Sequence, residues 1–313
     1  MRLRPTCLLL AFVLLTVARP ALAWNRPGHM VVGAIAYDVL AKDHPKALAA
    51  ALAALRQHPQ YDDVLAKRLE AVPEADRDRY LFMVAARWAD DVRDKPEYHH
   101  GPWHYVDVPY VPPAEAKRVK PPEVDPNGDH LLTALKANEA ILRAADADPK
   151  AKAVAVCWVM HLVGDAHQPL HAVSLYAERY PEGDRGGNSF HVRAEAGGSV
   201  LNLHSLWDGL ILGSQTYRDA ANAATELRNR PAFSPDKLKR ALAERDPKKW
   251  VQESYHLAID VVYRRGDLRG STDRSDGPVL PGDYLPAAKA VAERRVVLAG
   301  YRLAAELDAA FGK

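Results

Sequence analysis

The chain has 313 residues, 26% of them charged, and a formal net charge of +2. That length gives core enough to fold without disulfides. The charge excludes the basic footprint that duplex nucleic acid requires, so any anionic substrate must be attracted by something local, such as a bound metal.

The first element is a targeting signal. Arg2 and Arg4, an apolar run from Cys7 to Ala18, and Ala21-Leu22-Ala23 read as a secretory signal peptide over residues 1–23. Its apolar run is too short to span a bilayer, and no later stretch reads as a membrane helix. An exported chain, periplasmic or extracellular, is therefore expected, with one functional domain over 24–313. Removing Arg2, Arg4 and Arg19 takes the charge from +2 to about −1. Cys7 leaves with the signal, so Cys157 is expected to be a small core residue with no disulfide partner.

Helical periodicity recurs through the rest. Helices are predicted at about 27–42, 45–57, 61–70, 76–92, 129–147, 150–168, 204–214, 217–229, 235–245, 248–265 and 285–311. Asp129 and Asp246 read as N-caps, and Pro27 suits a first helical turn. The segments Pro109–Gly128 and Gly266–Asp283 read as surface loops, and Phe190–Leu203, with Gly197-Gly198 at its centre, as a β-hairpin. No repeat or linker divides the chain, so a single mainly α-helical domain with a small hairpin is the expected fold class.

The chemistry concentrates in MHLVGDAHQPLH, from Met160 to His171. On a buried helix His161 and Asp165 are i and i+4 and project from one face. Pro169 ends the helix near Gln168 and turns His171 back over its end. A carboxylate and two imidazoles converging there make a poor core and a good site for a divalent cation such as zinc. The plainer alternative is that some of these histidines are hydrogen-bonded core residues. A second His-x-x-x-Asp pair, His204 and Asp208, follows in NLHSLWD. Between signal and centre lie WNRPGH with Trp24 and His29, RWADDVR with Asp90, Asp91 and Arg93, and PWHYVDVP with His104, Tyr105 and Asp107 in a short β-like segment. A free α-amino group at Trp24 would lose its proton to a metal near neutral pH, and the carbonyl of the same residue would complete the chelate.

Taken together, these motifs resemble, in order and spacing, the zinc-dependent single-strand nucleases: the fungal nucleases "S-one" and "P-one" with their plant and bacterial relatives. The resemblance covers nearly the whole chain after residue 23, including GDRGGN and the Trp250–Ser254 run. It implies the phospholipase C / nuclease "P-one"-like fold and three Zn²⁺. By motif, Asp90, His104, His161 and Asp165 would hold one zinc. Trp24, His29 and the bridging Asp165 would hold a second, and His171, His204 and Asp208 the third. Three zinc ions against three aspartates leave a strongly positive pocket for a phosphodiester. The implied reaction is hydrolysis of single-stranded DNA and RNA to 5′-phosphate products. A water shared by two zincs attacks phosphorus and the third zinc stabilises the leaving oxygen. Asp90 and Asp165 are central to that chemistry. Arg93 matches a phosphate-contacting arginine, and Tyr105 and Asp107 match positions that stack on and hydrogen-bond a base. Removal of the 3′-phosphate from nucleotides is left open as a second activity.

The remaining polar residues read differently. His167 matches no ligand and reads as a support behind the ligands. Asn188 reads as loop-shaping or as a support behind the ligands, and His191 and Asn202 flank the hairpin, where surface roles are favoured over lining the cleft. His44, His58, His99, His100, His130 and His256 read as solvent or packing residues. The chain departs from the fungal pattern in lacking disulfides and Asn-x-Ser/Thr sequons, which fits a bacterial-type exported member. It also carries Pro109 where some members place an acid, which leaves base preference open. Two other readings stay in view. A zinc phospholipase C would have a longer gap from its N-terminal Trp to the first His, and a Glu in place of Asp208. A metal-storage protein would need coordinatively closed sites. The expected partners are single-stranded nucleic acid and nucleotides, with no membrane and a monomeric chain.

Overall fold

The computed structural model describes residues 24–312; the expected signal peptide, residues 1–23, lies outside them. Helix α1 (Arg26–Asp43) is the axis of the molecule. Asn25 caps it by accepting the Gly28 N–H, and Pro27 sits in its first turn, as predicted. It is buried from Pro27 through Ala36 because α4 (Arg77–Asp91) and α11 (Tyr284–Phe311) pack on either side. Two glycines permit that approach. A Cβ at Gly33 would lie 2.8 Å from the Phe82 carbonyl, and one at Gly300 would lie 2.5 Å from Ile35.

Around this core lie α2 (Pro45–Leu55), α3 (Ala66–Leu69), α5 (Leu131–Arg143), α6 (Pro149–Asp165), α7 (Leu203–Asp208), α8 (Tyr217–Asn229), α9 (Pro235–Leu242) and α10 (Pro247–Leu257). The fold is mainly helical, with a main apolar core between α1, α4, α6 and α11 and a smaller one around Phe190, Trp207, Tyr263 and Tyr284. None of the described helices is long and apolar enough to cross a membrane.

Two small strand pairs fix the loops. β1 (Pro109–Tyr110) runs parallel to β2 (Ser174–Leu175), with Pro109 opposite Ser174. β3 (His191–Arg193) pairs antiparallel with β4 (Val200–Asn202), which is the expected hairpin. The first pair was not expected, since it lies in a segment that reads as a surface loop.

Several boundaries differ from expectation. Asp129 is not an N-cap: it accepts from the Trp103 indole at 2.5 Å, while His130 caps α5 in a reciprocal box with Thr133. α6 stops at Asp165, and a 3₁₀ turn at Pro169–His171 follows. α7 ends at Asp208 rather than near 214, where Gly209 lies just past its last turn. The helices expected over 61–70 and 248–265 include wider π turns at Tyr61–Leu65 and Ala258–Val262. His104 lies not in a β-like segment but at the end of a 3₁₀ turn, Gly101–His104; the extended backbone begins at Tyr105.

Candidate metal centre

Six pieces of chain deliver side chains to one buried place. The first turn of α1 brings His29 and the last turn of α4 brings Asp90. The last turn of α6 brings His161 and Asp165 on one face, as the i,i+4 spacing requires. The two 3₁₀ turns bring His104 and His171, and α7 brings His204 and Asp208. All eight side chains are buried.

Asp165 is the hub. Its carboxylate oxygens lie 3.3 Å from His29 Nε2, 3.2 Å from His104 Nδ1, 3.3 Å from His161 Nε2 and 3.6 Å from His171 Nδ1. His161 Nε2 is also 3.9 Å from Asp90, and His204 Nε2 is 3.6 Å from Asp208. Three groups have ligand atoms within 4.8 Å of one another: His29, Asp90 and His161; His104, His161 and Asp165; His171, His204 and Asp208. The His29 and His161 rings stack with centroids 3.8 Å apart.

The backbone orients the rings. His161, His171 and His204 each place Nδ1 on a main-chain carbonyl, of Ala86 at 2.9 Å, His104 at 2.6 Å and Gly186 at 2.6 Å. A carbonyl only accepts, so Nδ1 carries a proton and Nε2 points inward. The third carboxylate has its own guide. Gln168, fully buried, donates from Nε2 to Asp208 Oδ1 at 2.7 Å, while its Oε1 accepts the Leu170 N–H at 2.6 Å.

This donor set fits a divalent cation on a direct observation. Both ring nitrogens of His29, Asp90 Oδ2, His104 Nε2, Asp165 Oδ1, His171 Nε2 and Asp208 Oδ2 are buried without a hydrogen bond. Leaving a buried polar atom unsatisfied costs about 1–3 kcal/mol, so such a concentration requires a compensating partner. Nitrogen and oxygen donors in this mixture suit zinc.

Protonation follows the same lines. Burial lowers His104 to about 4, and burial with the His171 charge lowers His204 to about 3. Burial lowers His29 and His171 as well, the direction that ligation needs. Burial would raise Asp165, but His161 and His171 outweigh it and hold the carboxyl well below its usual range. Burial likewise opposes ionisation of Asp90, and His161 and Arg93 overcome it. Burial would lower His161, but Asp165 and Asp90 outweigh it and raise the ring. Asp208 goes the other way: burial, reinforced by Asp90 and Asp165, pushes it well above the carboxylate range. A cation beside it would restore the charge.

The other expected residues differ in burial. Trp24 is fully buried, its indole N–H donating to the Gly164 carbonyl at 3.1 Å, while Asn25 N–H donates to the Asp208 carbonyl at 3.2 Å. The backbone at 24–25 thus runs between the end of α6 and the end of α7. Arg93 pairs with Asp90 Oδ1 at 2.8 Å. Tyr105 is 40% exposed and Asp107 is exposed too; partial loss of water around its carboxyl pushes it up to about 6, against the pull of the Arg185 charge.

Some residues stand apart. Asp91 is an anchor for Arg26, Arg68 and Arg87. His167 points away from the centre, with Nδ1 donating to the Val163 carbonyl and Nε2 accepting from Arg302 at 2.8 Å. Asn188 ties its own loop by donating to the Arg185 carbonyl, and Asn202 caps α7. His191 is buried against the Ser271 carbonyl. Gln168 was missed because a glutamine carries no metal signal; its place between His167 and Pro169, where the helix must end, was the only cue.

A family model described as S1/P1 Nuclease matches residues 24–312. The chain is 26% identical to Endonuclease 4 of Arabidopsis thaliana over 96% of its length and 93% of the relative's. It is 28% identical to Nuclease S1 of Aspergillus oryzae, covering 74% of this chain and 80% of that one. Endonuclease 2 of Arabidopsis thaliana is 27% identical over 72% of this chain and 76% of its own.

Proposed function

Because the chain belongs to the S1/P1 nuclease family, we propose that it is a zinc-dependent endonuclease that hydrolyses single-stranded DNA and RNA to 5′-phosphate products. The supporting observation is the convergence of four imidazoles on the Asp165 carboxylate, with unsatisfied donor atoms on every side.

Asp90, His104, His161 and Asp165 would hold one zinc ion. The amino nitrogen and carbonyl oxygen of Trp24, with His29 and Asp165, would hold a second, and His171, His204 and Asp208 a third. Zinc in these positions supplies Lewis acidity at phosphorus and a water acidic enough to attack near neutral pH. The protein's side chains supply the rest. Arg93, fixed by Asp90, places a guanidinium beside the centre for a non-bridging phosphate oxygen. The exposed Tyr105 ring offers a stacking face to an unpaired base, and Asp107 a hydrogen-bond partner for its edge. A base must leave its duplex partner to reach that ring, which favours single strands. Export through residues 1–23 as a monomer, and removal of 3′-phosphate from nucleotides, belong to the same reading.

The test is one set of parallel assays of the zinc-loaded protein beginning at Trp24. Its substrates are single-stranded DNA, duplex DNA, RNA, a 3′-nucleotide and a phosphatidylcholine dispersion. Cleavage of single strands well ahead of duplex is the expected result. Turnover of the lipid with none of the nucleic acids would overturn it.

A further inference from the structure

Away from the metal centre, α9, α10 and α11 enclose an open groove of about 470 Å³. A second hollow of about 360 Å³ continues it and shares Glu253, His256 and Arg294 with it. Lys237 and Arg240 reach the groove from α9, one turn apart, with Lys249 from α10 and Arg294 from α11. All four are exposed. Among the described residues none of them pairs with a carboxylate; Lys249 reaches only the Gln252 amide, at 3.2 Å.

Two acids line the same groove, and one is already neutralised. Glu253 accepts from Arg295 at 2.6 Å and from Arg302 at 2.7 and 2.8 Å, and both guanidiniums are buried behind it. The pair of arginines overmatches its single charge. Glu244 turns one oxygen to the Asp246 N–H at 2.9 Å. The groove therefore gathers four unpaired cations against the one acid Glu244, backed by a net single positive charge from Arg295, Arg302 and Glu253, on a chain whose charge beyond residue 23 is about −1. A concave surface with a net excess of one sign of charge focuses its field on ligands of the other sign.

We propose that this groove is a second binding site for single-stranded nucleic acid, engaging the sugar–phosphate backbone. The choice of ligand rests on the nuclease reading; the existence of an anion site does not. The cations come from three helices along two joined hollows, an arrangement that meets successive phosphates of a strand. Among the described residues His256 is the only ring on its walls, so the contact is to phosphate and independent of sequence. Such a site raises the local concentration of long substrates and leaves the shortest unaffected.

The test uses the zinc-loaded protein and a fluorescein-labelled 20-nucleotide phosphorothioate single strand, read by anisotropy across a salt series. The variants are Lys237→Glu with Arg240→Glu, and Arg294→Glu, all on exposed positions outside the metal centre. Expected is a loss of about tenfold in affinity at 0.1 M salt and a salt slope shallower by about 0.7 for each phosphate contact removed. KM for a 30-nucleotide strand should rise by a similar factor, with kcat and dinucleotide turnover unchanged. Wild-type affinity and slope in both variants would overturn the site. Displacement of the strand by sub-millimolar inorganic phosphate would overturn the strand and assign the groove to a small phosphate. Binding through the groove by a protein that cleaves nothing would leave the site standing and remove the nuclease reading alone.

Discussion

His171 donates its Nδ1 proton to the backbone carbonyl of His104 at 2.6 Å, and the Val106 N–H donates back to the carbonyl of His171 at 2.8 Å. One candidate ligand is aimed by the main chain of another, although the two belong to different clusters. The three clusters are therefore mechanically joined, and damage to one should be felt in its neighbours.

Asp165→Asn tests the hub. The amide keeps the shape and removes the charge that four imidazoles face. Zinc content by elemental analysis should fall, and cleavage should drop by more than about 100-fold. Full metal content with full turnover would contradict the role of Asp165.

Gln168→Leu removes the donor that fixes Asp208 while keeping the volume nearly constant. Zinc affinity, read by competition with a chromogenic chelator, should weaken about 10- to 100-fold. An unchanged affinity would make Gln168 a packing residue only.

At Gly164 stability and activity should part company. A Cβ there would lie 2.7 Å from His29 Nδ1. Alanine favours a helix over glycine by about 1 kcal/mol, so Gly164→Ala gains locally and displaces a ligand. Activity should fall at least about tenfold with little change in melting temperature. Wild-type activity would mean that the His29 ring can move without consequence.

The start of the chain offers a further test. A form that retains one extra residue ahead of Trp24 has no free amino group at that position. It should bind one fewer zinc ion by elemental analysis and lose most activity. An equally active extended form would take Trp24 out of the ligand set.

Acidity provides the last. Partial loss of water around the carboxyl raises Asp107, an exposed residue, to about 6, above its unfolded value near 3.9. Its contribution to stability is thus fully present below pH 4 and lost as pH rises through 6. Above pH 6 it only accepts hydrogen bonds; below, it also donates. The ratio of kcat/KM between dinucleotides of different bases should change on the order of tenfold between pH 5 and 7. Taking a ratio cancels protonation of the metal ligands. The Asp107→Asn variant should show a flat ratio, and a sloping one would assign the titration elsewhere.

The centre was unusually legible because helical spacing carries its information locally. His161 with Asp165, and His204 with Asp208, need only 3.6 residues per turn to share a face. Helix ends were harder to read. At α5 the sequence puts the cap at Asp129, but the Trp103 indole engages Asp129 and His130 caps the helix instead. The pairing of Pro109–Tyr110 with Ser174–Leu175 joins segments too distant for any periodicity to mark. The π turns carry no local pattern that sets them apart from ordinary helix. The cationic groove escaped for the same reason: Lys237, Lys249 and Arg294 are ordinary surface residues until three helices bring them together.

The carbonyls that hold His161, His171 and His204 come from positions 86, 104 and 186. Every amino acid brings the same carbonyl, so substitution at 86 leaves the acceptor for His161 in place. Mutational drift can rewrite much of the surroundings without turning an imidazole. A chain that differs from its relatives at about three positions in four can thus keep these rings in place, provided the main chain keeps its path.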